Sequence, residues 1–74
     1  MKLRPIGKNV SEMTLNNGTV VLFSYQTPVA ALYAGAFIRT EKHHSQTTSR
    51  HITRWLEGRK ATPVAQGMLD ALVK

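Results

Sequence analysis

At 74 residues, with ten Lys or Arg against four Asp or Glu and a formal charge of +6, the chain has room for one small basic domain with a modest core. The absence of Cys excludes a disulfide framework, a thiolate nucleophile and a thiolate metal site. The longest apolar run, Pro28 to Ile38, is far shorter than the roughly 20 residues that cross a bilayer, and the first residues hold no hydrophobic core for export, so a soluble cytoplasmic protein is expected.

Charge is unevenly spread along the chain. Residues 1–8 carry Lys2, Arg4 and Lys8, for +3, and read as a basic N-terminal arm. From Asn9 to Ile38 the only charged residue is Glu12. In this neutral stretch, Asn17-Gly18 between Met13–Leu15 and Val20–Gln26 predicts a hairpin, because a type I′ turn needs positive φ at both central residues. A two-residue loop would set Leu15 opposite Val20 and Met13 opposite Leu22. The second strand is apolar on both sides and belongs in the middle of a sheet. Thr27-Pro28 is expected to end or kink it, since Pro cannot donate to a ladder. A third strand is expected over Ala31 to Thr40, completing a meander over residues 13–40.

Two helices follow in this reading, over residues 47–58 and 62–73. The first starts near Thr47 or Thr48, ends at Gly58, and turns Ile52, Trp55 and Leu56 inward. The second takes Thr62 as N-cap and Pro63 as first residue, with Val64, Met68, Leu69, Leu72 and Val73 inward. The tetrapeptide TPVA occurs at residues 27–30 and 62–65, as a strand break and a helix start. The predicted fold class is α+β: a three-stranded antiparallel β-sheet, a meander, followed by two α-helices packed on one face.

Residues 39–60 hold Arg39, Lys42, Arg50, Arg54, Arg59 and Lys60 against Glu41 and Glu57, for +4, together with His43, His44 and His51. A helix capped by Thr48 would begin Ser49, Arg50, His51, with no carboxylate to complement the positive end of its dipole. That start forgoes about 0.3–1 kcal/mol, and a broken local rule is a place to look for function. Its free N–H groups, the hydroxyls of Thr47, Thr48 and Ser49, and the guanidinium of Arg50 are suited to a phosphate or carboxylate. Phe23, Tyr25, Tyr33 and Phe37, with Arg39, are candidates for one shared face, which would either stack bases or bury the helices. His43-His44 has poor metal geometry, and no metal or cofactor is expected. Ser45, His51 and Asp70 supply the letters of a triad without an elbow or oxyanion motif, so no catalytic residues and no enzymatic activity are expected.

The segments LNNGTVVLFSYQTPVA and RTEKHHSQTTSRHITRWLEG, spanning about Leu15 to Gly58, resemble a family of small uncharacterised proteins and domains encoded by phages and phage-derived elements. The most specific parts are LFSYQTPVA and TTSRHITRWL. The resemblance implies an origin, a viral gene acting in a bacterial host cytoplasm, and no activity.

The expected function is nucleic-acid binding through the phosphate backbone, with Arg39, Lys42, Thr47, Thr48, Ser49, Arg50, Arg54, Arg59 and Lys60 as the contact residues. The alternative partner is an acidic host or phage protein gripped by the same surface. A homo-oligomeric structural role is a third reading, and no membrane partner is expected.

Overall fold

Val21 and Leu22 are neighbours in the chain, and both are fully buried. Consecutive residues of a strand point to opposite faces, so the strand that holds them must be covered on both sides. The computed structural model describes residues 2–73 and shows how this is done. Strands β1 (Lys2–Gly7), β2 (Val10–Thr14), β3 (Val20–Ser24), β4 (Thr27–Tyr33) and β5 (Ala36–Thr40) form an antiparallel meander. Helix α1 (Gln46–Leu56) then crosses to β6 (Thr62–Val64), which lies parallel to β5, and helix α2 (Gln66–Leu72) follows. Strand order in the sheet is sequence order. Among the described residues, no helix is long and apolar enough to cross a membrane.

The two helices lie on opposite faces of the sheet. Helix α1 sets Ile52 and Leu56 against Leu22, Val29 and Ala30, with Phe37 and Trp55 half-buried beside them. Helix α2 sets Leu69 against Val21, Ala31 and Ile38, with Phe23, Val64 and Leu72 alongside. Strand β3 is thus a central strand with an apolar residue for each layer, as its composition predicts. A fully buried Leu contributes about 1.5–3 kcal/mol, so Leu69, with no exposed surface, is a main fastening of the seven-residue α2.

The expected three-stranded sheet with both helices on one face is therefore corrected to a six-stranded mixed sheet with one helix on each face. Three local causes account for the difference. First, the stretch expected as one strand over residues 31–40 folds back at Ala34-Gly35, with Tyr33 paired to Ala36. Both turn residues take positive φ, 52° and 80°, as a two-residue type I′ loop requires. Second, Thr62-Pro63 does not start a helix. Thr62 pairs with Ile38 and Pro63 with Arg39 on an edge strand, where a residue lacking an N–H is tolerated. Helix α2 starts three residues beyond Pro63 with Ala65 as its N-cap and no side-chain capping bond. Third, residues 2–7 of the expected basic arm are strand β1, paired along β2.

Pro28 does not end a strand either. It sits within β4 opposite Phe23, at an irregularity in the β3–β4 register that relieves the missing N–H, and the loop between these strands is Tyr25-Gln26. Both copies of TPVA therefore lie largely in strands.

The β2–β3 turn differs in a way that matters for function. Gly18 alone of the Asn17-Gly18 pair takes positive φ, 89°, while the Asn17 side-chain oxygen accepts the Thr19 N–H at 3.0 Å. The Leu15 carbonyl accepts from Gly18, and the Leu15 N–H donates to the Thr19 carbonyl. This is a three-residue loop with glycine in the bulge position, and it sets Thr14 opposite Val20, Met13 opposite Val21 and Glu12 opposite Leu22. A slip of one residue exchanges the faces of a whole strand, so Glu12 joins the face covered by α1.

Candidate functional site

Helix α1 begins earlier than the run of hydroxyl residues suggests. Ser45 is its N-cap, with an Oγ that accepts the Thr48 N–H at 3.1 Å, and the first turn contains no acidic residue. Arg50 and His51 consequently sit in the second turn rather than at the dipole's end. Thr48, expected to offer its hydroxyl to an anion, is buried, and its Oγ1 bonds to Ser45 Oγ at 3.2 Å and Ser24 Oγ at 3.0 Å. Ser24 Oγ also bonds to His51 Nδ1 at 2.8 Å.

Ser45 donates to Thr48; the other two protons run either from Thr48 to Ser24 and Ser24 to Nδ1 of His51, which leaves the ring hydrogen on Nε2, or in reverse from Nδ1–H of His51 to Ser24 and Ser24 to Thr48. A buried hydroxyl relay thus anchors one edge of the ring and fixes its orientation.

Because α1 sits over β3 and β4, the same face of the sheet is left unroofed toward β1 and β2. There a groove of about 1040 Å³ opens between the strands and the helix. Arg4, Lys8, Arg54 and Arg59 line it, with Glu12 and Glu57 as its acids and Tyr25, Phe37, Trp55 and His51 as its rings. Glu12 is the structural hinge of the wall: one carboxylate oxygen accepts from Arg4 Nη2 at 2.8 Å and the other from Trp55 Nε1 at 2.7 Å. Trp55 meets Phe37 edge-on at 5.6 Å, and the Arg59 guanidinium lies 5.5 Å from the Phe37 centroid. Arg59 Nη1 also donates to the Leu56 carbonyl at the end of α1. Charge-assisted and aromatic contacts thus add to the apolar packing of Phe37 and Trp55 in holding wall and floor together.

Arg4–Glu12 is the one ion pair formed among the described residues. Glu41 is exposed, Glu57 is the left-handed C-cap of α1 with φ 52°, and Asp70 accepts from Gln66. Among the described residues no carboxylate pairs with Lys8, Arg50 or Arg54.

Residues 1–71 match the model of a family of unknown function, DUF8033. The chain belongs to that family. Every groove residue named above falls within the matched span. No curated protein and no solved structure matches the chain.

Apart from the buried Thr48, the expected contact residues fall into three overlapping sets. Thr47, Arg54 and Arg59 line the groove. Thr47, Ser49, Arg50 and Arg54 line a shallower depression of about 440 Å³ along the outer side of α1. Arg39 is half-buried opposite Ala30 on the α1 face, while Lys42 and Lys60 are exposed on the segments flanking α1, outside the groove lining. The expected aromatic face is split: Phe37 and Arg39 lie on the α1 side, Phe23 and Tyr33 on the α2 side, and Tyr25 in the β3–β4 turn. The histidines serve different places, with His44 bonded to Gln66, His51 to Ser24 and His43 exposed.

Arg4, Lys8 and Glu12 line the groove without having been among the expected contact residues, and Tyr25 lines it from a turn rather than from the expected sheet face. The available signal was Glu12, the single charge in thirty otherwise neutral residues, which marked a polar requirement inside the sheet.

Proposed function

We propose that the protein binds nucleic acid in the groove beside α1, with Lys8, Arg54 and Arg59 contacting phosphates and Arg50 extending the contact along the outer flank of the helix. The observation that carries this reading is the convergence of Arg4 from β1, Lys8 from the β1–β2 turn, Arg54 from α1 and Arg59 from just beyond it on one groove with aromatic walls. Clustered guanidinium and ammonium groups draw a polyanion, and the net charge of +6 adds a long-range attraction. The groove is open along the helix, which suits a strand that passes through better than a small molecule that must be enclosed. A phage gene acting in a bacterial cytoplasm is the setting that the sequence resemblance suggests.

The test is affinity for labelled DNA and RNA against salt concentration. Three to four displaced counterions give a log–log slope of about −2 to −4, and Arg54→Glu makes that slope shallower by roughly 1 or more. A flat plot, or no binding at low salt, overturns the reading. A pull-down from lysate that survives nuclease treatment would instead favour an acidic protein partner.

A further inference from the structure

Tyr25 is in the wrong conformation for a tyrosine. It occupies the first position of the two-residue β3–β4 loop with φ 59°, in the left-handed region where a bulky side chain is an outlier and glycine is at ease. The residue is 53% exposed, so burial in the core does not account for the choice. The two-residue loop accounts for the positive φ, as at Ala34; what it does not account for is a half-exposed tyrosine there in place of glycine, on the lining of the groove.

The surroundings of that ring are built rather than open. The Tyr25 N–H donates to the Asn9 carbonyl at 2.6 Å, which pins the β3–β4 turn to the β1–β2 turn that carries Lys8. Asn9 itself takes φ 61°. His51 stands 6.2 Å from the Tyr25 centroid at a tilt of 46°, and the hydroxyl relay through Ser24 holds its ring in place. Arg54 lies one helical turn beyond His51 on the same groove wall. Lys8, Tyr25, His51 and Arg54 thus bring two cations, an anchored imidazole and an exposed phenol ring together on the groove lining.

We infer that this part of the groove is a stacking seat for an unpaired base, and that the ligand of the groove is single-stranded nucleic acid rather than duplex. The inference rests on the nucleic-acid reading above. The exposed π-face of Tyr25 takes the base, His51 backs the ring, and Lys8 and Arg54 take the flanking phosphates. A base held in a duplex has no free face to offer. The tilt between the two rings leaves no parallel slot between them, so the base stacks on Tyr25 alone and any of the four bases can serve.

The experiment is fluorescence anisotropy at fixed low salt with three probes: labelled oligothymidylate, an abasic oligomer of the same length, and a duplex of the same length. The protein is expected to bind oligothymidylate roughly ten-fold more tightly than the abasic oligomer, with the duplex near the abasic value. Tyr25→Gly suits the positive φ and keeps the turn, so it removes the ring without endangering the fold; it should erase the ten-fold preference. Tyr25→Phe should retain it. Equal affinity for the base-bearing and abasic strands, or a Tyr25→Gly protein that keeps the preference, overturns the stacking seat and leaves the phosphate reading standing. Absence of salt-dependent binding to all three probes overturns both.

Discussion

The two faces of the sheet solve different problems with the same strands. On the α2 side, Leu69 meets Val21, Ala31 and Ile38 in an apolar layer, and the described polar contacts gather around Gln66, which bonds to the Pro28 carbonyl, Asp70 and His44. On the α1 side, the apolar cluster of Leu22, Ala30, Ile52 and Leu56 is bordered by Ser24, Thr48, His51, Glu12 and Trp55, all engaged in side-chain hydrogen bonds. Burying polar groups is tolerated only when they are paired, and it adds little net stability. Both layers therefore bury apolar residues, and the α1 layer in addition holds the hydrogen bonds that orient rings and charges. Small domains have little surface to divide in this way, so segregation by face keeps a binding groove from weakening the core.

That contrast can be broken most forcefully at Leu69. Leu69→Ala empties a fully buried site and should cost about 2–5 kcal/mol, read as a fall in the urea midpoint. The affinity of the fraction that stays folded should be unchanged, because none of the residues of α2's layer lines the groove. A parallel loss of intrinsic affinity would show that the two faces are coupled.

Glu12→Gln probes the other face. Arg4 is 70% exposed, so the pair is screened and contributes little, and the glutamine oxygen can still accept one of the two hydrogen bonds. The expected cost is about 1 kcal/mol, with a change in Trp55 fluorescence as its N–H partner is altered. Removing a negative charge from the groove should at the same time raise affinity for nucleic acid and steepen the salt slope by up to roughly 1. Lower affinity at matched stability would mean that Glu12 orients a contact rather than opposing one.

The smallest effect belongs to a turn on neither face. Ala34 takes φ 52°, so Ala34→Gly should relieve strain and stabilise by a few tenths to about 1 kcal/mol, seen as a higher midpoint with unaltered affinity.

Those turns also explain how much of the molecule could be read from sequence. The central position of β3 was legible because Val21 and Phe23 alternate with Val20 and Leu22, giving apolar residues on both sides. The inward stripe of α1 was legible because Ile52, Trp55 and Leu56 recur at helical spacing. The fold-back at Ala34-Gly35 was hidden, since alanine is a poor guide to a positive-φ position and tertiary pairing decided the matter. The helix start was ambiguous because Ser45, Thr47 and Thr48 are all capable caps, and the hydrogen-bonding geometry selects the first. Thr62-Pro63 satisfied the rule for a helix start and was claimed instead by the edge of β5.

For the site, the cations of α1 were visible as a charge cluster, but their arrangement was not. Arg4 and Lys8 reach the groove only because β1 folds along β2, and Glu12 reaches Trp55 only because the Asn17-Gly18 loop contains three residues instead of two. A one-residue difference in loop length decides which side of the sheet carries the acid. No count of charges along the chain contains that information.

The parallel pairing of β5 with β6 has a consequence for how the molecule assembles. All other strand pairs join sequence neighbours through tight loops and can zip up one after another, with little chain entropy lost at each closure. Seating β6 requires the whole crossover through α1 to close at once. Loop closure is therefore costliest at the same segment that forms one bank of the groove, so seating β6 also sets the position of Arg54 and His51.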